Sequence, residues 1–265
     1  MSRLDVLLWI VVPYVCLAVF VVGHVWRWRR DQLGWTTRST QLLERRRLRV
    51  GVLLFHLGLF AVIGGHILGI LVPAAATEAV GVSEHLYHVV SVAAGTSAGI
   101  AMTVGFLVLM LRRAQVPRVR RTTTRTDMVT YVVLGIVIVT GMWATVVVNL
   151  AGGGYDYRET VGPWFRGLFL LDPATGEMAG APLVYQIHAL SSMLLYAVWP
   201  FSRLVHAWSA PVGYLLRAPI VYRRRGVAPA RLRRPQPTAP RPQPVAPRPQ
   251  PAASQPQPVA SQTGG

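Results

Sequence analysis

Long apolar stretches alternate with short polar ones along most of the chain. Five of the apolar stretches are long enough to cross a bilayer as helices, which takes about 20 residues. Arginines concentrate in the polar stretches between them. The pattern predicts an all-α integral membrane protein, a five-transmembrane-helix bundle with spans at residues 4–26, 50–72, 88–111, 128–150 and 183–208.

The charge of the connecting loops alternates. Residues 27–49 and 112–125 carry eight and six arginines, whereas residues 73–87 carry two glutamates and no arginine. The loop at residues 151–182 has two arginines against four acidic residues. Cytoplasmic loops are the arginine-rich ones. The alternation therefore predicts an N-terminus outside and a C-terminus in the cytoplasm, in a multi-pass protein.

Composition agrees with a membrane protein. Of the 265 residues, 52% are hydrophobic and only 14% are charged, whereas soluble domains are about 25% charged. All 27 basic residues are arginine, and the net charge is +17. Because the basic clusters lie at the ends of apolar spans, they indicate membrane topology, and no nucleic-acid partner is expected. The single cysteine excludes an intrachain disulfide, a cysteine-ligated iron–sulfur cluster and a covalently attached c-type haem.

The last part of the chain has a different composition. Residues 226–265 repeat Arg-Pro-Gln-Pro and contain few large apolar residues. Such a segment cannot bury enough surface to fold. We therefore divide the chain into a membrane domain at residues 1–225 and a disordered Pro/Arg/Gln-rich C-terminal tail at residues 226–265.

Four histidines lie within two of the predicted spans, where polar residues are rare and usually functional. His56 and His66 are ten residues apart, about 15 Å and within about 80° on one helix face. His188 and His206 are 18 residues apart, which is five full turns. Neutral imidazole is a common metal ligand. Two histidines at different depths on each of two helices predict two bis-histidine haems, one above the other.

The predicted topology fixes the pairing. The second span runs outward and the fifth runs inward. His66 and His188 therefore form the outer pair, and His56 and His206 form the inner pair. The rise between ligands is about 15 Å on one helix and about 27 Å on the other. Pro200 is expected to kink the fifth span and so reduce this mismatch.

Other residues are candidates for contacts to the same groups. Gly65, directly before His66, would let a flat group approach the backbone, although close helix packing is an alternative role. Arg112 and Arg203 lie at cytoplasmic span ends, where they serve either as partners of haem propionates or only as topology determinants. His85 and His88 begin the third span on the outer side. They are either solvated loop residues or proton acceptors for a quinol hydroxyl.

At these residues the sequence resembles the gamma subunit of respiratory nitrate reductase, the dihaem cytochrome b that anchors the complex in the bacterial cell membrane. The matching stretches are FHLGLFAVIGGHILGILVP, PRVRRTTTRTDM, IHALSSMLLYAVWPFSRLVHAWSAPVGYLL and PYVCLAVFVVGHVWRW. They span about residues 4–222. The resemblance implies two b haems, with His56 and His206 on the inner haem and His66 and His188 on the outer one.

The resemblance also implies a function. Quinol would be oxidised near the outer haem, and electrons would pass to an iron–sulfur beta subunit and a molybdenum-containing alpha subunit in the cytoplasm. Family members can carry a lysine near the quinol pocket, whereas this chain contains none and reads SEHLYHVV there. The arginine-only composition suggests a GC-rich bacterial genome and hence menaquinol. Two alternatives are a dihaem subunit serving a heterodisulfide- or sulfite-type reductase and, from a different class, a transporter with a histidine path.

Overall fold

The computed structural model describes residues 2–31, 35 and 39–209, and all regular structure within them is helical. Four helices are long and apolar enough to cross a membrane. In chain order the helices are α1 (Arg3–Arg30), α2 (Arg46–Leu71), α3 (Ala74–Glu78), α4 (Glu84–Gln115), α5 (Pro117–Arg120), α6 (Arg125–Ala151), α7 (Val161–Leu170), α8 (Thr175–Ala179) and α9 (Leu183–Val198). The predicted Pro-rich tail lies outside the described residues.

The long helices begin and end where local sequence signals place their ends. The Thr124 hydroxyl accepts from the Asp127 backbone N–H, and the Asp127 carboxylate accepts from the Thr124 N–H, a capping box that starts α6. Ser83 caps α4 in a similar way, and Pro117 follows its end. These caps lie outside the apolar stretches, so the helices extend a few residues beyond the predicted spans.

The fifth predicted span differs from the other four. Regular α-helix covers only the 16 residues of α9. Two 3-10 segments follow, Trp199–Phe201 and Arg203–Ser209, with an extended residue, Ser202, between them. Pro200 explains the break, because its ring clashes with the preceding turn and it lacks an N–H. The kink expected at Pro200 is therefore a break: regular α-helix ends at Val198, and the chain continues to Ser209 in two 3-10 segments.

The long helices form one connected bundle. Helix α2 lies along α4, α4 also contacts α6, and α9 packs against α6 and α1. Gly58 permits the contact between α2 and α4, since a Cβ there would lie 2.6 Å from the Ala98 carbonyl oxygen on α4. One buried cluster joins α1, α6, α7, α8 and α9 around Trp9, Trp164 and Met193, and a smaller one joins α2, α4 and α6.

Helix α2 carries His56 and His66, α9 carries His188, and the 3-10 segment Arg203–Ser209 carries His206. Helices α2 and α9 are not among the more extensively packed helix pairs of the described chain. Large apolar side chains such as Leu57 and Phe60 are exposed along α2. Lipid would cover such side chains on a membrane helix. The fold thus sets the histidine-bearing elements opposite each other with little direct packing between them.

Candidate cofactor site

The outer histidine pair consists of His66, at the end of the regular α-helical part of α2, and His188, one turn into α9. Their ring centroids are 6.0 Å apart and their planes are inclined by 31°. The His66 side chain is exposed and that of His188 is half-buried. The two imidazoles therefore face each other across the space between α2 and α9.

The inner pair repeats this arrangement. The ring centroids of His56 and His206 are also 6.0 Å apart, with planes inclined by 68°. Both pairings are those predicted from the topology. Ten residues separate His188 from the end of α9 at Val198, a rise of about 15 Å that equals the rise between His56 and His66. The α-helical rise on α9 thus equals the rise between the ligands of α2, and the equal ring separations show that the break at Pro200 is compatible with both pairs.

Both separations suit a metal ion held between two imidazoles. A metal–imidazole nitrogen bond is about 2.0 Å, and a ring nitrogen lies about 1.1 Å from its ring centroid. Two such ligands on opposite sides of one ion therefore place their centroids about 6.2 Å apart. No described group of three or more His, Cys, Asp or Glu side chains could hold a metal ion. Two axial ligands fit a haem, whose porphyrin supplies the other ligands, better than they fit a zinc site.

In all four histidines the same ring nitrogen, Nδ1, lies within hydrogen-bond distance of a backbone carbonyl oxygen. The Nδ1 atoms of His56 and His66 lie 2.9 and 2.8 Å from the carbonyl oxygens of Val52 and Val62, one turn earlier on α2. His206 Nδ1 lies 2.6 Å from the Arg203 carbonyl oxygen. A carbonyl oxygen only accepts, so Nδ1 carries the proton and donates. Each Nε2 is then left with a lone pair for a metal ion.

His188 is held by a neighbouring helix instead of its own. Its Nδ1 lies 3.1 Å from both the Val137 carbonyl oxygen and the Thr140 hydroxyl of α6. Gly141 brings α6 close, since a Cβ there would lie 2.9 Å from His188 Cε1. Helix α6, which has no ionisable residue after Asp127, therefore orients the outer pair. Nothing in the sequence pattern identified Thr140 or Gly141 for this role.

The two candidate arginines have protein partners. The Arg112 side chain, 2% exposed, donates to the Glu44 carboxylate at 2.7 Å and to the Thr40 hydroxyl at 2.9 Å. The Arg47 backbone N–H, helped by Arg112, lowers the pKa of the Glu44 carboxyl below its ordinary value. Arg203 donates to both carboxylate oxygens of Asp127, at 2.7 and 2.8 Å.

The structure separates the three candidate quinol-site residues. Gly65 faces open space, with no atom within 4 Å of a Cβ added there. His85 is exposed in the first turn of α4. His88 is half-buried. Its Cε1 would lie 3.1 Å from a Cβ added at Gly154, in the loop after α6. Open space thus lies beside His66 on α2, and the two histidines of α4 lie in different surroundings.

A buried arginine on the predicted outer side was missed by the sequence reasoning. Arg158, 3% exposed, donates to Glu84 at 2.6 Å and to Thr77 at 2.9 Å, and it lies over the Tyr87 ring at 3.9 Å. The Tyr87 and Tyr157 hydroxyls are 3.2 Å apart, and burial raises the pKa of Tyr157 above its ordinary value. The signal available in the sequence was one arginine beside acidic residues in an otherwise acidic outer loop.

Comparison with known protein families assigns the chain to one of them. The sequence profile of the nitrate reductase gamma subunit family matches residues 5–225. The chain belongs to this family. Together with the four apolar helices, membership makes it a membrane-embedded gamma-type subunit, as its resemblance indicated. The name gamma chain also implies association with other nitrate reductase subunits.

The gamma chains of two bacteria match this gamma-family chain over nearly their whole length, and a third relative matches over part of its length. The chain is 42% identical to the nitrate reductase gamma chain of Bacillus subtilis, over 83% of this chain and 98% of that protein. It is 30% identical to the respiratory nitrate reductase 1 gamma chain of Escherichia coli, over 82% and 96%. The nitrate reductase-like protein NarX of Mycobacterium tuberculosis is 49% identical over 83% of this chain, which spans only 34% of that protein.

Proposed function

We propose that this gamma-family chain is a dihaem cytochrome b that oxidises quinol near the outer membrane face and passes electrons toward cytoplasmic subunits of a nitrate reductase. One observation carries the proposal: two pairs of facing imidazoles, each with centroids 6.0 Å apart, join α2 to α9 and the segment that follows it. When bound, the two b haems supply one-electron transfer across the membrane.

The protein residues have distinct proposed roles. His66 and His188 hold the outer haem through Nε2, and His56 and His206 hold the inner one. The hydrogen bonds at Nδ1 orient each ring and raise its basicity as a ligand. Arg112 and Arg203 are the proposed partners of the haem propionates. Each would share its guanidinium with the carboxylate it already binds, Glu44 or Asp127.

The quinol site is proposed beside the outer pair. The open surface at Gly65 and the exposed ring of His66 provide room for a flat head group next to α2. His85 and His88, at the start of α4, are the proposed proton acceptors for the quinol hydroxyls, with protons released outside. Menaquinol is the proposed quinol.

The proposed partners are an iron–sulfur beta subunit and a molybdenum-containing alpha subunit on the cytoplasmic side of a bacterial cell membrane. The printed names of the relatives, which are gamma chains of nitrate reductases, support this assembly. The arginine-rich loops at residues 27–49 and 112–125 mark the proposed cytoplasmic side. Five crossings, with the N-terminus outside and the C-terminus inside, are part of the same proposal.

The alternatives have less support. A dihaem subunit for a heterodisulfide- or sulfite-type reductase would use the same histidines, but the family match favours nitrate reductase. A transporter with a histidine path would need rings that exchange protons along the membrane. Four rings whose Nδ1 atoms each face a backbone carbonyl, in two pairs whose ring centroids are equally spaced, favour metal ligation instead.

The test is haem content of the full chain, purified in detergent from membranes of cells supplied with haem. We expect two b haems per chain by pyridine haemochrome, about one in His66→Ala, and two in the control His85→Ala. His85 is a matched control because its side chain is exposed in the first turn of α4 and it belongs to neither histidine pair. Full haem content in His66→Ala, or none in the wild type, would contradict the proposal.

A further inference from the structure

A buried ion pair connects the start of α6 to the segment that carries His206. Asp127 is 3% exposed and belongs to the capping box of α6. Its two carboxylate oxygens accept from Arg203 Nε and Nη2 at 2.7 and 2.8 Å. Bidentate pairs of this kind fix geometry as well as adding energy. Arg203 is thereby held in one orientation relative to α6.

Arg203 in turn fixes the His206 ring through its backbone. It begins the 3-10 segment Arg203–Ser209, and its carbonyl oxygen lies 2.6 Å from His206 Nδ1. On the other side of the break, Arg27 Nη1 of α1 donates to the carbonyl oxygens of Pro200 and Ser202, at 2.6 and 3.1 Å. The segment is thus anchored from both α6 and α1.

His206 needs this anchoring more than the other three ligands do. His56, His66 and His188 lie on α-helices of 16 residues or more. His206 lies on a seven-residue 3-10 segment after an extended residue, Ser202. Segments of 3-10 helix have poor hydrogen-bond geometry and little stability of their own. Contacts from outside the segment must therefore hold its ligand in place.

We propose that Asp127 is a positioning residue for the inner haem. It holds Arg203, and the Arg203 carbonyl keeps the proton on His206 Nδ1 and aims Nε2 at His56. This inference rests on the proposed haem function. Asp127 itself touches neither paired ring in this scheme and acts only through Arg203.

The experiment separates the two haems by using single-haem backgrounds of the full chain. Asp127→Asn is combined with His66→Ala, which leaves the inner haem, and with His56→Ala, which leaves the outer one. Substitutions of residues that orient a metal ligand typically weaken metal binding by about 10-fold to 100-fold. We expect Asp127→Asn to lower inner-haem affinity at least about 10-fold, and to leave outer-haem content unchanged. The electron paramagnetic resonance signal and midpoint potential of any inner haem that remains should also shift.

Two further variants control for folding and charge. Glu84→Gln removes a carboxylate that accepts from the buried Arg158 at 2.6 Å on the opposite face, and it should leave the inner haem unchanged. Asp127→Glu keeps the charge and should restore much of the inner-haem affinity. Because Asp127 acts through Arg203, Arg203→Gln and Asp127→Asn should have non-additive effects on the inner haem.

Several results would overturn the inference. The first is that Asp127→Asn keeps the inner haem while Arg203→Gln loses it. Arg203 would then act without Asp127, for example on a haem propionate. Another is equal loss of inner and outer haem in Asp127→Asn, which would show a general folding defect. A wild-type chain that binds no haem would instead overturn the proposed function, so the two failures are distinguishable.

Discussion

Gly141 and Gly135 lie on the same helix, and they differ in what a side chain would meet. A Cβ at Gly141 would lie 2.9 Å from His188 Cε1, whereas one at Gly135 would lie 3.7 Å from Phe106 Cε1, an ordinary contact. We expect Gly141→Ala to displace the His188 ring and to cost about 1–3 kcal/mol at this site. In the His56→Ala background, Gly141→Ala should lower the outer-haem content, whereas Gly135→Ala should leave it unchanged.

Thr140 should set the electron affinity of the outer haem. Its hydroxyl donates to the Ile136 carbonyl at 2.8 Å, and its oxygen can therefore accept from His188 Nδ1 at 3.1 Å. An acceptor at Nδ1 makes imidazole a more basic ligand and stabilises the oxidised iron. Losing one hydrogen bond worth about 1 kcal/mol would change the one-electron midpoint potential of this haem by at most about 40 mV.

We therefore expect Thr140→Val to raise the midpoint potential of the outer haem, measured by spectroscopic redox titration, and to leave the inner one unchanged. Thr130→Val is the matched control. Thr130 lies on the same helix, and its hydroxyl donates to the Thr126 carbonyl at 2.8 Å. A lower outer potential, or the same shift in both variants, would rule out this role for Thr140.

At the residue scale, sequence reasoning could identify the proposed ligands but not the residues that orient their rings. The four paired histidines stood out because ionisable residues are rare in apolar spans, and helix geometry gave their pairing. Thr140 and Gly141 are ordinary residues in apolar helices, and only the packing of α6 against α9 gives them a role. Arg112 and Arg203 were noticed by their charge, but their carboxylate partners depend on which helix ends meet.

Helix α2 and helix α4 depend on close backbone contact. A Cβ at Gly58 would lie 2.5 Å from the Met102 backbone nitrogen and 2.6 Å from the Ala98 carbonyl oxygen. Backbone cannot move aside as a side chain does. We expect Gly58→Ala to separate the helices and to destabilise the protein by about 1–3 kcal/mol, measured by thermal unfolding in detergent.

Gly176→Ala is the control for this substitution. Gly176 lies in the short helix α8, and no atom lies within 4 Å of a Cβ added there. Alanine stabilises a helix relative to glycine by about 0.5–1 kcal/mol. The control should therefore unfold at the same or a higher temperature. Equal destabilisation by both variants would mean that the α2–α4 contact is not the cause.

At the element scale, hydrophobic length identified four helices, while the fifth element required knowledge of its packing. An apolar stretch to residue 208 satisfies the length rule, and only Pro200 indicated an interruption. The sequence could not show that the chain after Pro200 would continue as 3-10 turns. That outcome depends on Arg27 and the Asp127–Arg203 pair, which bind the segment from two other helices.

At the scale of the whole molecule, the described helices form one connected bundle, in which α2 packs along α4, α9 packs against α6 and α1, and α6 also contacts α4. Helix α6 contributes to both buried clusters, through Ala144 in one and Ile138 in the other. Because α2 contributes one ring to each histidine pair and α9 with its continuation contributes the other, a bound haem would connect these two elements directly. Haem binding and helix assembly are therefore expected to be coupled, as ligand binding stabilises the state that binds.

The number of crossings decides on which side the two ends of the chain lie. Four spans would place both ends on one side of the membrane, and five would place them on opposite sides. The geometry favours five. His188 near the start of α9 pairs with His66 near the end of α2, and His206 pairs with the earlier His56. We therefore expect the fifth element to return through the depth that α2 crosses and to carry the chain back across the membrane.

We expect a reporter active only outside the cytoplasm to work when fused before Ser2, and a cytoplasmic reporter to work when fused after Arg225. Fusions exchanged between the two ends are the controls and should be inactive. Activity of the same reporter at both ends would mean an even number of crossings. In that case the chain after Pro200 would turn back, and His206 could reach His56 only from the outer side. The inner pair would then lose its place near the cytoplasmic face, on which the proposed direction of electron transfer depends.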